Sequence, residues 1–314
     1  MKDQIAANFG KFTDADVTAD GQKRARVRLT GIETLWINTG TLCNIACSHC
    51  YIESSPSNDA LVYLTVEEVR QVLNDVAAKG HPVREIGFTG GEPFLNPAFP
   101  EMIKDALMRG YQVLILSNAM KPMMRPRCRD ALQRLNTMFP GKILLRVSLD
   151  HYSVGPHDQE RGKGAFEESL KGMRWLRDQG IEMAVAGRGF SDETEDQMRM
   201  GYAQLFADQE FEIDAHDPGQ CVLFPEMDLG AEVPEITTAC WGILGKNPLD
   251  VMCATSRMVV KRKGEGLSFA ACTLLPYDAQ FDMGSHAPDL GQSVALNHPH
   301  CAKFCVLGGA SCTT

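Results

Sequence analysis

Short apolar runs alternate with longer amphipathic segments from about residue 33 to residue 215. The apolar runs predict strands of a parallel sheet, because such strands are buried on both faces. The segments between them have the three-to-four-residue spacing of helices with one apolar face. The predicted strands are Leu35–Ile37, Glu85–Thr89, Gln112–Ser117, Ile143–Asp150, Glu182–Ala186 and Phe211–Ala215.

The first predicted helix carries its own start and stop signals. Thr65 is placed to cap its amino end, and Glu68 stands at the position that completes a capping box. Leu73 and Val76 belong to its apolar face, and Gly80 is a typical residue for its end. The other predicted helices cover Ala98–Arg109, Ala131–Met138, Phe166–Gln179 and Glu193–Phe206.

This alternation predicts an α/β fold. Strand–helix steps of about 30 residues imply a parallel sheet with right-handed crossovers. Eight such steps close a TIM barrel, so six predict an open, partial (β/α)6 TIM-like barrel over residues 33–219. In barrels of this type the chemistry lies at the carboxyl ends of the strands, and the segments that follow the strands therefore contain the candidate site.

The two ends of the chain lack this alternation. Residues 1–32 show no clean periodicity and predict an N-terminal arm or an initial β-hairpin. Residues 220–314 are rich in Pro, Gly and Cys, with a predicted hairpin formed by Arg257–Lys261 and Gly266–Ala270. Because this region has little apolar core of its own, we expect a metal cluster to stabilise it as a small separate domain.

Composition and charge narrow the class of protein. A hydrophobic content of 44% and a charged content of 23% are those of an ordinary globular protein. The net charge of -9 gives no basic stripe, so we expect neither a nucleic-acid partner nor a membrane partner. The polar N-terminus lacks the apolar core of a signal peptide, and no apolar run approaches the roughly 18 residues of a membrane span. We therefore expect a cytoplasmic protein.

Eleven cysteines then become informative, since clustered cysteines in a reducing compartment more often bind metal than form disulfides. A secreted disulfide protein is the alternative. Cys43, Cys47 and Cys50 have the spacing C-x3-C-x2-C, which suits a cubane iron–sulfur cluster held by three corners. One iron would remain open to a non-protein ligand. Zinc is the alternative metal, but it usually takes a closed set of four ligands.

This spacing resembles the signature of radical S-adenosylmethionine (SAM) enzymes. The run GFTGGEPFLNP, with Gly90, Gly91 and Glu92, resembles their second motif, and Arg146–Phe166 resembles a segment of members with an extra C-terminal cluster domain. The resemblance implies a [4Fe-4S] cluster whose open iron binds the amino and carboxylate groups of SAM. An electron from the reduced cluster then yields methionine and a 5′-deoxyadenosyl radical.

The groups that SAM presents suggest which residues contact it. The ammonium needs acceptors such as Glu92, the carboxylate needs a cation such as Arg188, and the ribose needs polar partners such as Ser148 and Asp150. His49 occupies the position where the family usually has an aromatic residue, so it is a candidate for stacking on the adenine. Helix capping or a surface role is the alternative for the polar residues, and a loop position without ligand contact is the alternative for His49. The candidate SAM contacts are His49, Gly90, Gly91, Glu92, Asn118, Ser148, Asp150 and Arg188.

The cysteines after residue 220 resemble a second, auxiliary site. In the twitch domain, a truncated relative of the SPASM domain, two cysteines that flank a hairpin and two from a later segment hold one [4Fe-4S] cluster. The resemblance implies that Cys253, Cys272, Cys301 and Cys305 are the ligands, with Cys240 or Cys312 as replacements. A structural zinc is the alternative.

These features predict a radical SAM oxidoreductase that abstracts a hydrogen atom and uses its auxiliary cluster to oxidise a small molecule. The short N-terminal arm favours a small substrate over a peptide, because it is too short for a typical leader-binding domain. The alternatives are an enzyme that modifies a ribosomally made peptide and a non-catalytic iron–sulfur electron carrier. We expect a flavodoxin- or ferredoxin-type electron donor. Asp217 is a weak candidate for a catalytic proton acceptor, and a turn is its alternative role.

Overall fold

A single sheet of eight strands organises the chain. The structure, a computed structural model, describes residues 10–189, 193–225 and 232–308. The strand order is β7-β6-β5-β4-β3-β2-β8-β9; β2 to β8 run parallel to one another, and β9 runs antiparallel to β8. The strands of this sheet are β2 (Thr34–Asn38), β3 (Glu85–Thr89), β4 (Gln112–Ser117), β5 (Ile143–Ser148), β6 (Glu182–Arg188), β7 (Cys221–Phe224), β8 (Ser256–Lys261) and β9 (Leu267–Ala270).

Helices connect the consecutive parallel strands, and the apolar faces of the longer helices pack against the sheet. This arrangement confirms the predicted α/β fold with a partial TIM-like barrel. The helices are α1 (Val66–Ala78), α2 (Phe99–Met108), α3 (Pro126–Met138), α4 (Val154–Arg161), α5 (Ala165–Asp178), α6 (Glu195–Asp208) and α7 (Cys240–Leu244). No helix within the described residues combines the length and the apolar character that crossing a membrane requires.

The predicted capping box of α1 is confirmed. The backbone N–H of Glu68 donates to Thr65 Oγ1 at 3.2 Å, and the backbone N–H of Thr65 donates to Glu68 Oε2 at 2.8 Å. Each residue thus satisfies a backbone donor at the start of the helix. The local sequence fixes where α1 begins and therefore how long the cysteine-containing connection before it is.

The predicted sixth strand, Phe211–Ala215, is wrong. Phe211, Ile213 and Ala215 are buried, but their segment forms no strand. The sheet is instead continued by β7, with pairs that run from Val185–Cys221 to Arg188–Phe224. The alternation of apolar residues in 211–215 therefore reflects the burial of every second side chain. It does not indicate pairing with a neighbouring strand.

The N-terminal arm is built into the C-terminal region. Strand β1 (Arg26–Arg28) pairs antiparallel with β10 (Ser293–Ala295), so the predicted initial hairpin is not the main contact of the arm. The predicted C-terminal hairpin is confirmed as β8 and β9, and β8 also pairs with β2 of the barrel. A second apolar core gathers side chains from the arm and from residues 233–306.

Candidate active site

The loop after β2 brings its three cysteines to one cavity. Cys43, Cys47 and Cys50 all line it, at the carboxyl ends of the parallel strands. Burial raises the pKa of Cys43 to about 12 and also raises that of Cys47. Buried thiols become good ligands when a metal compensates their charge, so this donor set fits an iron–sulfur cluster.

The two glycines of the GGE motif allow β3 to pack on the cysteine loop. Gly90 has φ +147°, and a Cβ atom at Gly91 would lie 2.2 Å from the carbonyl oxygen of Leu42. The backbone N–H of Gly91 donates to Gly40 O at 2.8 Å, and that of Glu92 donates to Leu42 O at 3.1 Å. Side chains at these two positions would therefore push apart the segments that form the cavity wall.

Glu92 lies behind this wall as a buried carboxylate with several donors. It accepts hydrogen bonds from the backbone N–H of Asn118 at 2.9 Å, from that of Phe94 at 3.3 Å, and from Ser117 Oγ at 3.0 Å. Burial raises the pKa of Glu92 to about 7, although these donors favour its ionised form. It is thus poised to change its charge with its surroundings near neutral pH.

Asn118 and Ser148 are cavity residues at the ends of neighbouring strands. The Asn118 side chain donates to Asn44 Oδ1 at 3.0 Å and accepts from the backbone N–H of Met120 at 3.0 Å. Asn118 Nδ2 also lies 3.9 Å from Cys43 Sγ. Ser148 ends β5 and lines the same cavity. Asn118 therefore links the cysteine loop to the end of β4.

Asp150, Arg161 and Arg188 form a buried charge network on the opposite side. Arg161 binds Asp150 through two contacts, Nε–Oδ2 at 2.8 Å and Nη2–Oδ1 at 2.9 Å, and Arg188 Nε lies 3.2 Å from Asp150 Oδ1. Burial alone would raise the pKa of Asp150, but the charges of Arg161 and Arg188 hold it at about 2. Two cations share one carboxylate, so the network can receive a further anionic group.

Tyr51 and Arg161 are cavity residues that the sequence analysis did not place there. The guanidinium of Arg188 lies 5.0 Å from the centre of the Tyr51 ring, a cation–π arrangement. Arg161 was visible only as part of the resembling segment Arg146–Phe166. The sequence could have indicated Tyr51 as a cavity residue, because it directly follows Cys50, a predicted cluster ligand.

Besides Glu92, two predicted residues do not line the cavity. His49 is half exposed, and its Nδ1 lies 2.8 Å from Glu160 Oε2. Asp217 is half-buried in a turn before β7, where it accepts from the backbone N–H of Gly219 at 2.8 Å. Since Asp217 precedes a strand instead of following one, it lies at the amino ends of the parallel strands, away from the cysteine loop.

The four predicted auxiliary cysteines meet at a second, smaller cavity. Cys253 precedes β8, Cys272 follows β9, and Cys301 and Cys305 lie on a π-helix, Cys301–Leu307. Burial raises the pKa of Cys253 to about 11 and that of Cys301 well above its usual value. These buried thiols fit a second cluster.

The two alternative auxiliary ligands have different positions. Cys240 does not line the second cavity, and its Sγ accepts from the backbone N–H of Thr237 at 3.3 Å. Cys312 lies outside the described residues. Within the described chain, the geometry therefore favours the original four cysteines.

The two cavities are close neighbours. Leu274 lines both of them, two residues after Cys272. The ring of Tyr51 packs edge-on against that of Phe304 with 5.4 Å between ring centres, and Phe304 adjoins Cys305. The two cavities thus share one lining residue, Leu274.

Comparisons with known proteins agree with this geometry. The sequence model described as "Radical SAM superfamily" matches residues 37–200, more than half of the chain. The antilisterial bacteriocin subtilosin biosynthesis protein AlbA of Bacillus subtilis is 34% identical over 145 residues, 46% of this chain and 30% of AlbA. An AdoMet-dependent heme synthase of Nitratidesulfovibrio vulgaris is 31% identical over 144 residues, 46% of this chain and 36% of that protein. The match thus spans about a third of these relatives' length.

A solved structure shares the fold over a larger region. Streptococcus suis SuiB bound to precursor peptide SuiA aligns with a TM-score of 0.59 and 11% identity, and it covers 84% of this chain and 64% of SuiB. At this identity the likeness concerns the fold. It extends beyond residues 37–200 and therefore includes part of the region that carries the auxiliary cysteines.

Proposed function

The chain belongs to the radical SAM superfamily, and on this premise we propose that it is an oxidoreductase that abstracts a hydrogen atom from a small-molecule substrate. The observation that carries the proposal is the cavity, where Cys43, Cys47 and Cys50 meet the GGE motif and the Asp150 network. When bound there, a [4Fe-4S] cluster supplies the electron that splits SAM into methionine and a 5′-deoxyadenosyl radical.

The side chains of the cavity have complementary roles toward SAM. Glu92, directly behind the cavity wall, supplies a carboxylate for the ammonium group, and Gly90 and Gly91 keep the neighbouring backbone close to the cysteine loop. Arg188 supplies a cation for the carboxylate of SAM, while Asp150 keeps Arg188 in place. Ser148 and Asn118 supply neutral polar groups for the nucleoside.

We further propose that residues 220–314 hold one auxiliary [4Fe-4S] cluster through Cys253, Cys272, Cys301 and Cys305. Its role is to accept an electron from the substrate after hydrogen abstraction, so that the net reaction is an oxidation. The proximity of the two cavities, which share Leu274 in their linings, supports this role. A flavodoxin- or ferredoxin-type protein is the proposed donor to the first cluster.

Anaerobic reconstitution with iron and sulfide, followed by dithionite and SAM, tests the enzyme. We expect 5′-deoxyadenosine from the wild type and none above background from a Cys43→Ala/Cys47→Ala/Cys50→Ala control. An equal yield from both would refute the radical SAM reaction and leave the electron-carrier alternative. About eight irons per chain are expected for two cubanes and about four for one.

A peptide substrate is the second candidate. It is favoured by the likeness to AlbA, which is described as a bacteriocin biosynthesis protein, and to SuiB, which was solved with a precursor peptide. Extract from cells grown in deuterated medium separates the candidates. If the low-mass filtrate transfers deuterium to 5′-deoxyadenosine, the substrate is a small molecule. If the retained peptide fraction alone does so, the enzyme is a peptide maturase.

A further inference from the structure

A buried arginine lies beside the auxiliary cysteines. Arg257, in β8, is 1% exposed. Its Nη1 donates to the carbonyl oxygen of Cys253 at 2.6 Å and to that of Ser256 at 2.7 Å, and its Nε lies 3.0 Å from Met283 Sδ. Its Nη2 is buried without a hydrogen-bond partner among the described residues.

The charge of this guanidinium has no carboxylate partner among the described residues. No Asp or Glu in the described part of the chain forms an ion pair with Arg257, and the groups whose negative charge acts on it are Cys253 and Cys272. Burial lowers the pKa of Arg257 to about 10, and negative charge on Cys253 or Cys272 opposes that shift. An unpaired buried cation costs several kcal/mol, so a nearby anion is expected.

Three other buried arginines offer a contrast. Arg161 and Arg188 share Asp150, and Arg24 pairs with Glu235. Each of these three cations has its anion in the protein itself. Arg257 instead donates to the carbonyl oxygen of Cys253, one of the four cysteines that line the second cavity.

We infer that Arg257 is the buried counter-ion of the auxiliary cluster and that its charge raises the reduction potential of that cluster. The inference rests on the auxiliary cluster of the proposed function. A cubane core with four thiolates carries two negative charges when oxidised and three when reduced. A fixed cation therefore stabilises the reduced form more than the oxidised form. Its bond to the carbonyl of Cys253 also positions the turn that carries this ligand.

The auxiliary cluster can be measured alone in the Cys43→Ala/Cys47→Ala/Cys50→Ala background. In that parent we compare Arg257→Gln, which removes the charge, with Arg257→Lys, which keeps it. Arg262→Gln is the matched control, since Arg262 follows β8 and its charge is paired with Asp282. The readout is a redox titration followed by electron paramagnetic resonance.

We expect Arg257→Gln to lower the equilibrium constant for reduction of the auxiliary cluster at least tenfold. For a one-electron couple this is a fall of about 59 mV in the reduction potential. Arg257→Lys and Arg262→Gln should keep the potential of the parent. An unchanged potential in iron-loaded Arg257→Gln overturns the inference. If Arg257→Gln fails to load iron, full loading and a parent-like potential in Arg257→Lys support the inference, and failure of both variants overturns it.

The same experiment separates this inference from the proposal on which it rests. A parent that binds no iron after reconstitution refutes the auxiliary cluster itself, and the counter-ion with it. If the parent binds about four irons and the reduction potential is the same whichever residue stands at position 257, only the counter-ion role of Arg257 is refuted.

Discussion

The two cysteine sites differ in how the charged side chains around them are balanced. Around Cys43, Cys47 and Cys50, ionised side chains are already paired with one another, as in the network of Asp150. Around the auxiliary cysteines the surroundings are apolar, with Arg257 as a buried cation. The first arrangement suits a charged ligand that enters and leaves, whereas the second suits a cluster that stays.

The largest expected effect separates the two sites by iron content. Cys272→Ala should lower the iron from about eight to about four atoms per chain, because Cys272 lines the auxiliary cavity. Cys240→Ala is the matched control and should leave the iron unchanged, since Cys240 does not line that cavity. Iron analysis of the two purified variants checks this, and a loss with Cys240→Ala would make Cys240 a ligand.

The next effect tests the paired charges of the first site. Asp150→Asn should lower the free energy of unfolding by about 3–5 kcal/mol, because it leaves Arg161 and Arg188 buried without their anion. Denaturant titration measures the loss. Asp59→Asn, which breaks the exposed pair with Lys263, should leave stability unchanged. Equal stability of wild type and Asp150→Asn would show that the network is not needed for folding.

A smaller effect concerns pH. The pKa of Glu92 is raised to about 7, so this carboxyl is protonated below that pH and ionised above it. The ammonium of SAM prefers the ionised form, and affinity for SAM should therefore rise about tenfold as the pH increases from about 6 to about 8. Binding calorimetry measures this. Glu92→Gln should bind weakly at every pH, and a pH profile like that of wild type would assign the titration to another group.

The smallest expected effect concerns His49. Its ring is half exposed and faces Glu160, whereas Tyr51 lines the cavity. His49→Ala should therefore change the affinity for SAM by less than about threefold, a difference below about 1 kcal/mol. Tyr51→Leu, which removes a cavity ring, should weaken binding more. The reverse order in binding measurements would restore His49 as the residue that stacks on the adenine.

Local sequence patterns predicted most of the fold but not every strand. The capping box joins Thr65 and Glu68, which are three positions apart, so it can be predicted from the sequence. The edge strand Cys221–Phe224 is short, and its identity depends on which segment reaches β6 after the loop of residues 211–215 has been buried. That choice is made by tertiary packing, which a local pattern does not contain.

The same distinction applies to the site. Motifs identified the cysteines and the GGE segment, because ligand spacing is a local property. The ion pair between Arg161 and Asp150 depends on the position of α4, which carries Arg161 at its end. Helix α4 was not predicted from the sequence. Arg257 was predicted as one end of a hairpin strand, but only the three-dimensional structure shows that no carboxylate in the described ranges pairs with it.

The pairing of β1 with β10 sets an order for synthesis on the ribosome. Arg26 leaves the ribosome early, yet its partner Ala295 emerges after the whole barrel has been made. The loop of Cys43 and its neighbours β2 and β3 are complete much sooner. The first metal site can therefore be assembled on a nascent chain, while the second apolar core stays open until β10 has been translated. An iron shortage late in synthesis would thus leave chains that carry the first cofactor and lack the second.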